Sequence, residues 1–137
     1  MNTLATSFEP PAPARDGVRM LLRLEAFALL LAALALYARI GNDWWLFAKL
    51  FLIPDISFAA YLFGPRIGAI GYNAMHSTTG PIALSAAALA LNQPIGLAVA
   101  LIWLAHVGFD RALGYGLKYP TEFSDTHLGR IGRKQEA

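Results

Sequence analysis

Glu25, Asp55, His76 and His106 are the residues whose chemistry stands out, because each lies inside a different long apolar run. Counted from the ends of those runs at ~1.5 Å of helical rise per residue, all four fall roughly 10–13 Å below one and the same membrane face. A charged side chain near a bilayer centre costs roughly 2.5–3.5 kcal/mol on insertion scales. Four runs bearing that cost at one depth point to a shared polar site.

His106 and Asp110 form an H-x-x-x-D pair and share one helix face, as do Asn73 and His76 three residues apart. One helix can offer two metal ligands at the first spacing, or Asp110 can orient a ligating His106 from behind. With Asp55, His76 and His106 as ligands, the layer suits zinc, manganese or iron, zinc first among them. Glu25 is then a further ligand or a general base, and Asp110 a catalytic partner. A structural account also fits. The His106–Asp110 pair can be an intrahelical hydrogen bond, Asp55 after Pro54 can cap a broken helix, and Glu25 can pair with Arg23 or Arg66 near the interface. Arg23, two residues away, does not face Glu25 on one helix, so the partner must come from another helix. Polar residues then hold a bundle together.

The elements that must carry these residues follow from composition. The chain has 137 residues, 56% hydrophobic and only 15% charged, with a mean hydropathy of +0.46. Apolar runs cover Val18–Ile40, Trp44–Phe63, Ile67–Leu91 and Ile95–Leu113, each near the ~20 residues that cross a bilayer as a helix. Alternating patterns are lacking, which argues against a β-barrel. The expected fold is all-α: a transmembrane domain over 18–113 with four antiparallel helices, between a Pro-rich lead (1–17) and a Gly/aromatic-rich basic tail (114–137). Tight turns are expected at Gly41–Asn42–Asp43, Gly64–Pro65–Arg66 and Asn92–Gln93–Pro94. Pro54 and Pro81 interrupt the second and third runs. Gly68, Ala69 and Gly71 allow close helix approach. Glu25 inside the first run, and three further runs behind it, argue against a cleaved signal peptide. With no cysteine, disulfides and thiolate ligands are excluded.

Arg15, Arg19, Arg66, Lys118, Arg130, Arg133 and Lys134 flank one face, against Arg39 and Lys49 on the other. The positive-inside rule therefore predicts a multi-pass membrane protein with both termini cytoplasmic. Lys49 can snorkel outward as an anchor. The basic rim of Arg19, Arg23, Arg66, Arg111 and Lys118 suits lipid head groups or a phosphate-bearing substrate. Membrane lipids are the expected partners, with no nucleic acid, and nucleotide-binding glycine loops are lacking. Tyr72 and Trp103 read as packing or interfacial aromatics. The segment after Leu113 is expected to lie along the membrane surface, with His127 able to reach back over the site mouth.

The strings L-L-R-L-E, F-L-I-P-D-I-S, G-P-R-I-G-A-I-G-Y-N-A-M-H and W-L-A-H-V-G-F-D-R-A-L-G-Y-G-L-K-Y-P-T-E-F-S-D-T-H-L-G resemble a bacterial family of small membrane proteins catalogued as domain of unknown function 4260. That resemblance implies a four-span membrane protein and no particular activity. The order Pro54–Asp55, His76, then His106 and Asp110, with Gly114 and Pro120 behind, is also similar to the LexA-regulated inner-membrane metal-dependent hydrolases. Ser57 and the short Met75–His76–Ser77 string depart from that pattern. This second likeness implies hydrolysis at a bound metal.

Two functions therefore stand as expectations. One is a metal-dependent hydrolase of a phosphate or ester on a lipid-like molecule. The other is a non-enzymatic membrane protein, a small carrier or accessory subunit, whose polar layer is structural or a proton path. A four-span carrier would have to work as a homo-oligomer, since the chain has no internal repeat.

Overall fold

All four apolar runs become helical, but two of them break part-way. The computed structural model describes residues 16–40, 43–120 and 124–131. α1 (Asp16–Arg39) and α5 (Pro94–Leu113) are continuous. Between them come α2 (Trp44–Leu50), a 3-10 helix (Ile53–Phe63), α3 (Pro65–His76) and α4 (Thr79–Ala90). Two two-residue strands, β1 (Asp125–Thr126) and β2 (Gly129–Arg130), pair antiparallel beyond α5. The Pro-rich lead, the turn residues Gly41 and Asn42, and Arg133 and Lys134 lie outside the described residues.

The interruptions expected at Pro54 and Pro81 are thus full breaks, each starting a new helical segment. The second run changes from α to 3-10 geometry at Phe51–Leu52, and the third splits at Ser77, which is extended (φ −83, ψ 154). Proline explains both places. It has no N–H to donate inside a helix but fits a first turn, where the N–H has no partner in any case. Pro54 and Pro81 each occupy the first turn of the segment after a break. Three segments, 16–39, 44–63 and 94–113, are long and apolar enough to cross a membrane. α3 and α4 have 12 residues each. At ~1.5 Å per residue each is about 18 Å long, little more than half a crossing.

A broken helix leaves carbonyls without partners. Here α5 supplies the donors. The Trp103 indole donates to the Met75 carbonyl at 2.6 Å, and an Arg111 guanidinium nitrogen reaches the His76 carbonyl at 3.4 Å. Trp103 is therefore more than packing: it ties the end of α3 to α5.

Helix α1 packs chiefly on α5, and the 3-10 helix on α3. Small residues set the α1–α5 distance. A side chain at Gly108 would bring its first carbon to 2.9 Å from the Ala26 carbonyl oxygen. Toward the far end, Tyr37 is fully buried with Ala98, Leu101 and Ile102. Its hydroxyl donates to the Asp43 carbonyl (2.6 Å), while the Asp43 side chain caps α2 through the Trp45 N–H (2.9 Å). Large apolar side chains such as Leu62, Phe63 and Leu91 stay exposed, an outer surface made for hydrocarbon rather than water. Lys49 is exposed, as an anchor requires.

Candidate metal centre

Both helix breaks fall at the same place, and the polar residues gather there. His76 is the last residue of α3, Asp55 lies in the first turn of the 3-10 helix, and His106 and Asp110 project from one face of α5. Nε2 of His76 lies 3.2 Å from Asp55 Oδ1 and 3.2 Å from Asp110 Oδ2. Nε2 of His106 lies 3.2 Å from the same two oxygens. The two Nε2 atoms are 3.2 Å apart. The four residues offer ligand atoms that all lie within 4.8 Å of one another. Both imidazoles are almost fully buried, at 3% and 1% exposure.

Hydrogen bonding alone satisfies this arrangement poorly. The Tyr72 carbonyl can only accept, so the 3.0 Å contact to His76 Nδ1 places a proton on that nitrogen. In the neutral ring, Nε2 then presents a bare lone pair to two carboxylate oxygens and a second imidazole nitrogen. In the charged ring, one N–H faces three acceptors and can point at only one. A cation among the four atoms resolves the conflict. Ligands about 2.0 Å from a tetrahedral zinc are about 3.3 Å from each other. Five of the six separations match that spacing at 3.2 Å. Two carboxylates and a divalent ion also sum to zero charge, which suits burial.

The surroundings hold the rings in place. Tyr72 stacks on His76 at 3.8 Å with planes 7° apart, and Phe51 meets His106 edge-on at 5.2 Å. The backbone of Phe51 also meets the His106 ring. Asp110 meets His106 at Nε2, so it belongs to the converging group and does not orient the ring from behind, as the sequence had suggested.

Glu25 does not join the group. It is exposed on α1 and lines a separate cavity of about 250 Å³ with Arg111 and His127. Arg23, two residues away and not facing it, donates to the Ala112 carbonyl (2.8 Å) near the end of α5. Gly108 of α5 lies against Ala26, so that Ala26 faces α5 and Glu25 is turned outward.

The segment after α5 folds back over the bundle instead of lying along the surface as a helix. Asn73 grips it with both amide atoms: Nδ2 donates to the Lys118 carbonyl (2.7 Å) and Oδ1 accepts from the Lys118 N–H (2.6 Å). His127 pairs with Leu117 through its backbone N–H (3.1 Å) and accepts the Leu117 N–H on Nδ1 (2.9 Å). Burial, then the nearby Arg111 charge, lowers the His127 pKa, and the Leu117 contact opposes them. His127 therefore secures the tail and does not cover the converging residues.

Lys118 is 4% exposed, its ammonium 5.0 Å above the Tyr72 ring. Burial pushes its pKa down to about 8, with the Asp110 carboxylate acting the other way. Together with Asp55, Asp110, Phe58, Tyr72 and Tyr115 it lines a cavity of about 280 Å³. Both carboxylates of the group line this space, and a molecule entering it reaches the centre of the group between them. The sequence had placed Lys118 only in a basic rim and Tyr72 among packing aromatics. No short motif marks either of them, because the tail fold that joins them is long-range.

A family model, Domain of unknown function (DUF4260), matches residues 19–131. The chain belongs to this family. The matched region contains the four converging residues as well as Asn73, Lys118 and His127. No curated protein and no solved structure matches the chain.

Proposed function

We propose that this protein is a metal-dependent hydrolase embedded in the bacterial inner membrane, acting on a phosphate or ester of a lipid-like molecule. The observation that carries the reading is the 3.2 Å spacing of two imidazole nitrogens from each other and from each of two carboxylate oxygens at a pair of helix breaks. Asp55, His76, His106 and Asp110 hold the ion, zinc by geometry and donor set. The four side chains would complete a tetrahedron, so a water could join only as a fifth ligand, where zinc would lower its pKa toward ~7. Asp55 is the more exposed carboxylate, its side chain at 35% against 16% for Asp110. Its Oδ1 belongs to the converging four, which leaves Oδ2 to take that water's proton. Lys118, cationic below about 8, draws an anionic head group into the cavity over the two carboxylates.

In detergent, the protein should release orthophosphate from dodecyl phosphate. Chelator should abolish the release, zinc should restore it, and Asp55→Asn should lack it. KM should rise as pH passes upward through about 8, where Lys118 loses its charge, and Lys118→Met should show a high KM without that step. Phosphate release insensitive to chelator, or none from a zinc-loaded sample offered both phosphate and carboxylic esters, would overturn the hydrolase reading.

Four crossings with both termini cytoplasmic complete the proposal, α3 and α4 together making the third crossing through their break. The chain has no native cysteine, so single cysteines report cleanly. Asn42→Cys should react with a membrane-impermeant reagent from the periplasm and Arg66→Cys should not. The reverse pattern would invert the topology, and labelling of both would remove the second crossing.

A further inference from the structure

The deeper side of the converging group carries a second cavity, and its chemistry is the opposite of the first. It measures about 240 Å³ and is bordered by Leu50, Ile53, Pro54, Met75, Val99 and Trp103. Its walls are the next residues inward from the site. Pro54 precedes Asp55, Met75 precedes His76, and Trp103 lies one turn before His106 on α5. Val99 stands a further turn away from the tail end. At ~1.5 Å per residue along α5, the cavity extends about 5–10 Å beyond His106 toward the other face.

The cavity exists because of the helix breaks. Leu50 and Ile53 flank the change from α2 to the 3-10 helix, and Met75 stands just before the split at Ser77. Where continuous helices would pack side to side, the displaced segments leave a gap. The one polar atom on the named walls, the Trp103 indole nitrogen, is already donating to the Met75 carbonyl. Nothing there recognises water or an ion. Ile53 is 44% exposed, so one wall continues onto the surface that faces hydrocarbon. An apolar space of this size, open to a bilayer, loses dispersion contacts unless a chain enters it.

We propose that this cavity is the chain-binding half of the site, taking one alkyl chain of a phosphate-bearing amphiphile whose head group lies in the polar cavity over Asp55 and Asp110. The inference rests on the hydrolase reading and narrows it. The substrate is an amphiphile that enters sideways from the membrane, with its scissile group held between an apolar and a cationic compartment. The order of compartments along α5 matches the order of parts in such a molecule: chain at Val99 and Trp103, reacting group at His106 and Asp110, anionic head beneath Lys118.

Trp103 gives a direct readout. Trp44 and Trp45 are the remaining tryptophans of the chain, so Trp44→Phe with Trp45→Phe leaves Trp103 as the sole reporter. In nanodiscs of unbrominated phosphatidylcholine, a monoalkyl phosphate brominated at mid-chain should quench Trp103 with a saturating dependence on its mole fraction. Val99→Phe, which fills the cavity, should remove the saturating component and leave the zinc content unchanged. The brominated alcohol of equal chain length should need at least tenfold more for half-saturation, because it offers no anion to Lys118.

Quenching that rises linearly in both proteins while zinc stays bound would overturn the chain site and leave the metal reading standing. Equal half-saturation for phosphate and alcohol would break the link between the two cavities and overturn the proposal. Saturable, Val99-dependent quenching in a protein without metal would uphold the chain site and remove the hydrolase reading on which its role depends.

Discussion

Protein purified without chelator should contain about one equivalent of zinc per chain, and His106→Ala should contain essentially none. The expectation follows from the proton count at the four atoms. His76 commits its proton to the Tyr72 carbonyl, leaving an Nε2 lone pair among three other acceptor-capable atoms at 3.2 Å. Removing His106 deletes one vertex of the tetrahedron in a nearly fully buried position. Affinity should fall by more than the roughly 10–100-fold typical of losing an outer-shell partner. His76→Ala should match it. Occupancy should also fall as pH drops, because protons compete with the ion for both nitrogens. Plain His–Asp hydrogen bonds behave in the opposite way, since protonation of the imidazole strengthens its attraction to the carboxylates. Elemental analysis at several pH values separates the two. Equal, sub-stoichiometric metal in wild type and His106→Ala would sink the metal centre and leave the group as structural glue or a proton path.

Depth was legible in the sequence; direction was not. Ionisable residues are so rare in apolar runs that their levels can be counted from the run ends, and three of the four counted residues meet, with Asp110 one turn beyond His106. Glu25 shows the limit. One residue along a helix turns a side chain by about 100°, and whether residue 25 or 26 faces inward depends on where α5 packs. The signal present was small size: Ala26 and Ala33, seven apart on one face, are both buried, and Ala26 lies against Gly108. The breaks at Phe51–Leu52 and Ser77–Thr78 were half legible. Pro54 and Pro81 announce an interruption, but composition cannot distinguish a kink from a new helix start. That choice depends on whether a neighbour can satisfy the freed carbonyls, as Trp103 and Arg111 do. The closure of the tail was not legible, because the Asn73–Lys118 pairing joins residues 45 apart.

Asn73→Leu should release the tail while leaving the metal bound. The variant keeps the volume and the helix but removes both partners of the Lys118 backbone, whose N–H and C=O would then have none of that pairing at a buried position. An unsatisfied buried group costs about 1–3 kcal/mol. Even a total near 2 kcal/mol raises the open fraction about 30-fold. Trypsin should then cut after Lys118 far faster than in the wild type, and amide exchange should rise at Leu117, Lys118 and His127 together. Asn73→Asp keeps the acceptor for the Lys118 N–H but sets a carboxylate against the Lys118 carbonyl, so it should open the tail as well.

Acid should act in the same direction. Because the folded pKa of His127 is lowered, the closed tail binds fewer protons than the open one. Its stability is complete above the unfolded value near ~6.5 and declines as pH falls below it. The structural cause is burial of the imidazole in the closed tail, with the positive charge of Arg111 second. Lys118 has the same sign at higher pH: closure gains stability as pH rises from about 8 toward the unfolded lysine value near ~10.4. Cleavage after Lys118 should therefore slow as pH rises from 5.5 to 7 once corrected for the protease's own profile, and His127→Gln should lose that dependence. Unchanged cleavage in Asn73→Leu would mean that the tail is held elsewhere. Loss of zinc together with tail release would mean that α3 cannot keep His76 in place unless the tail is bound to Asn73.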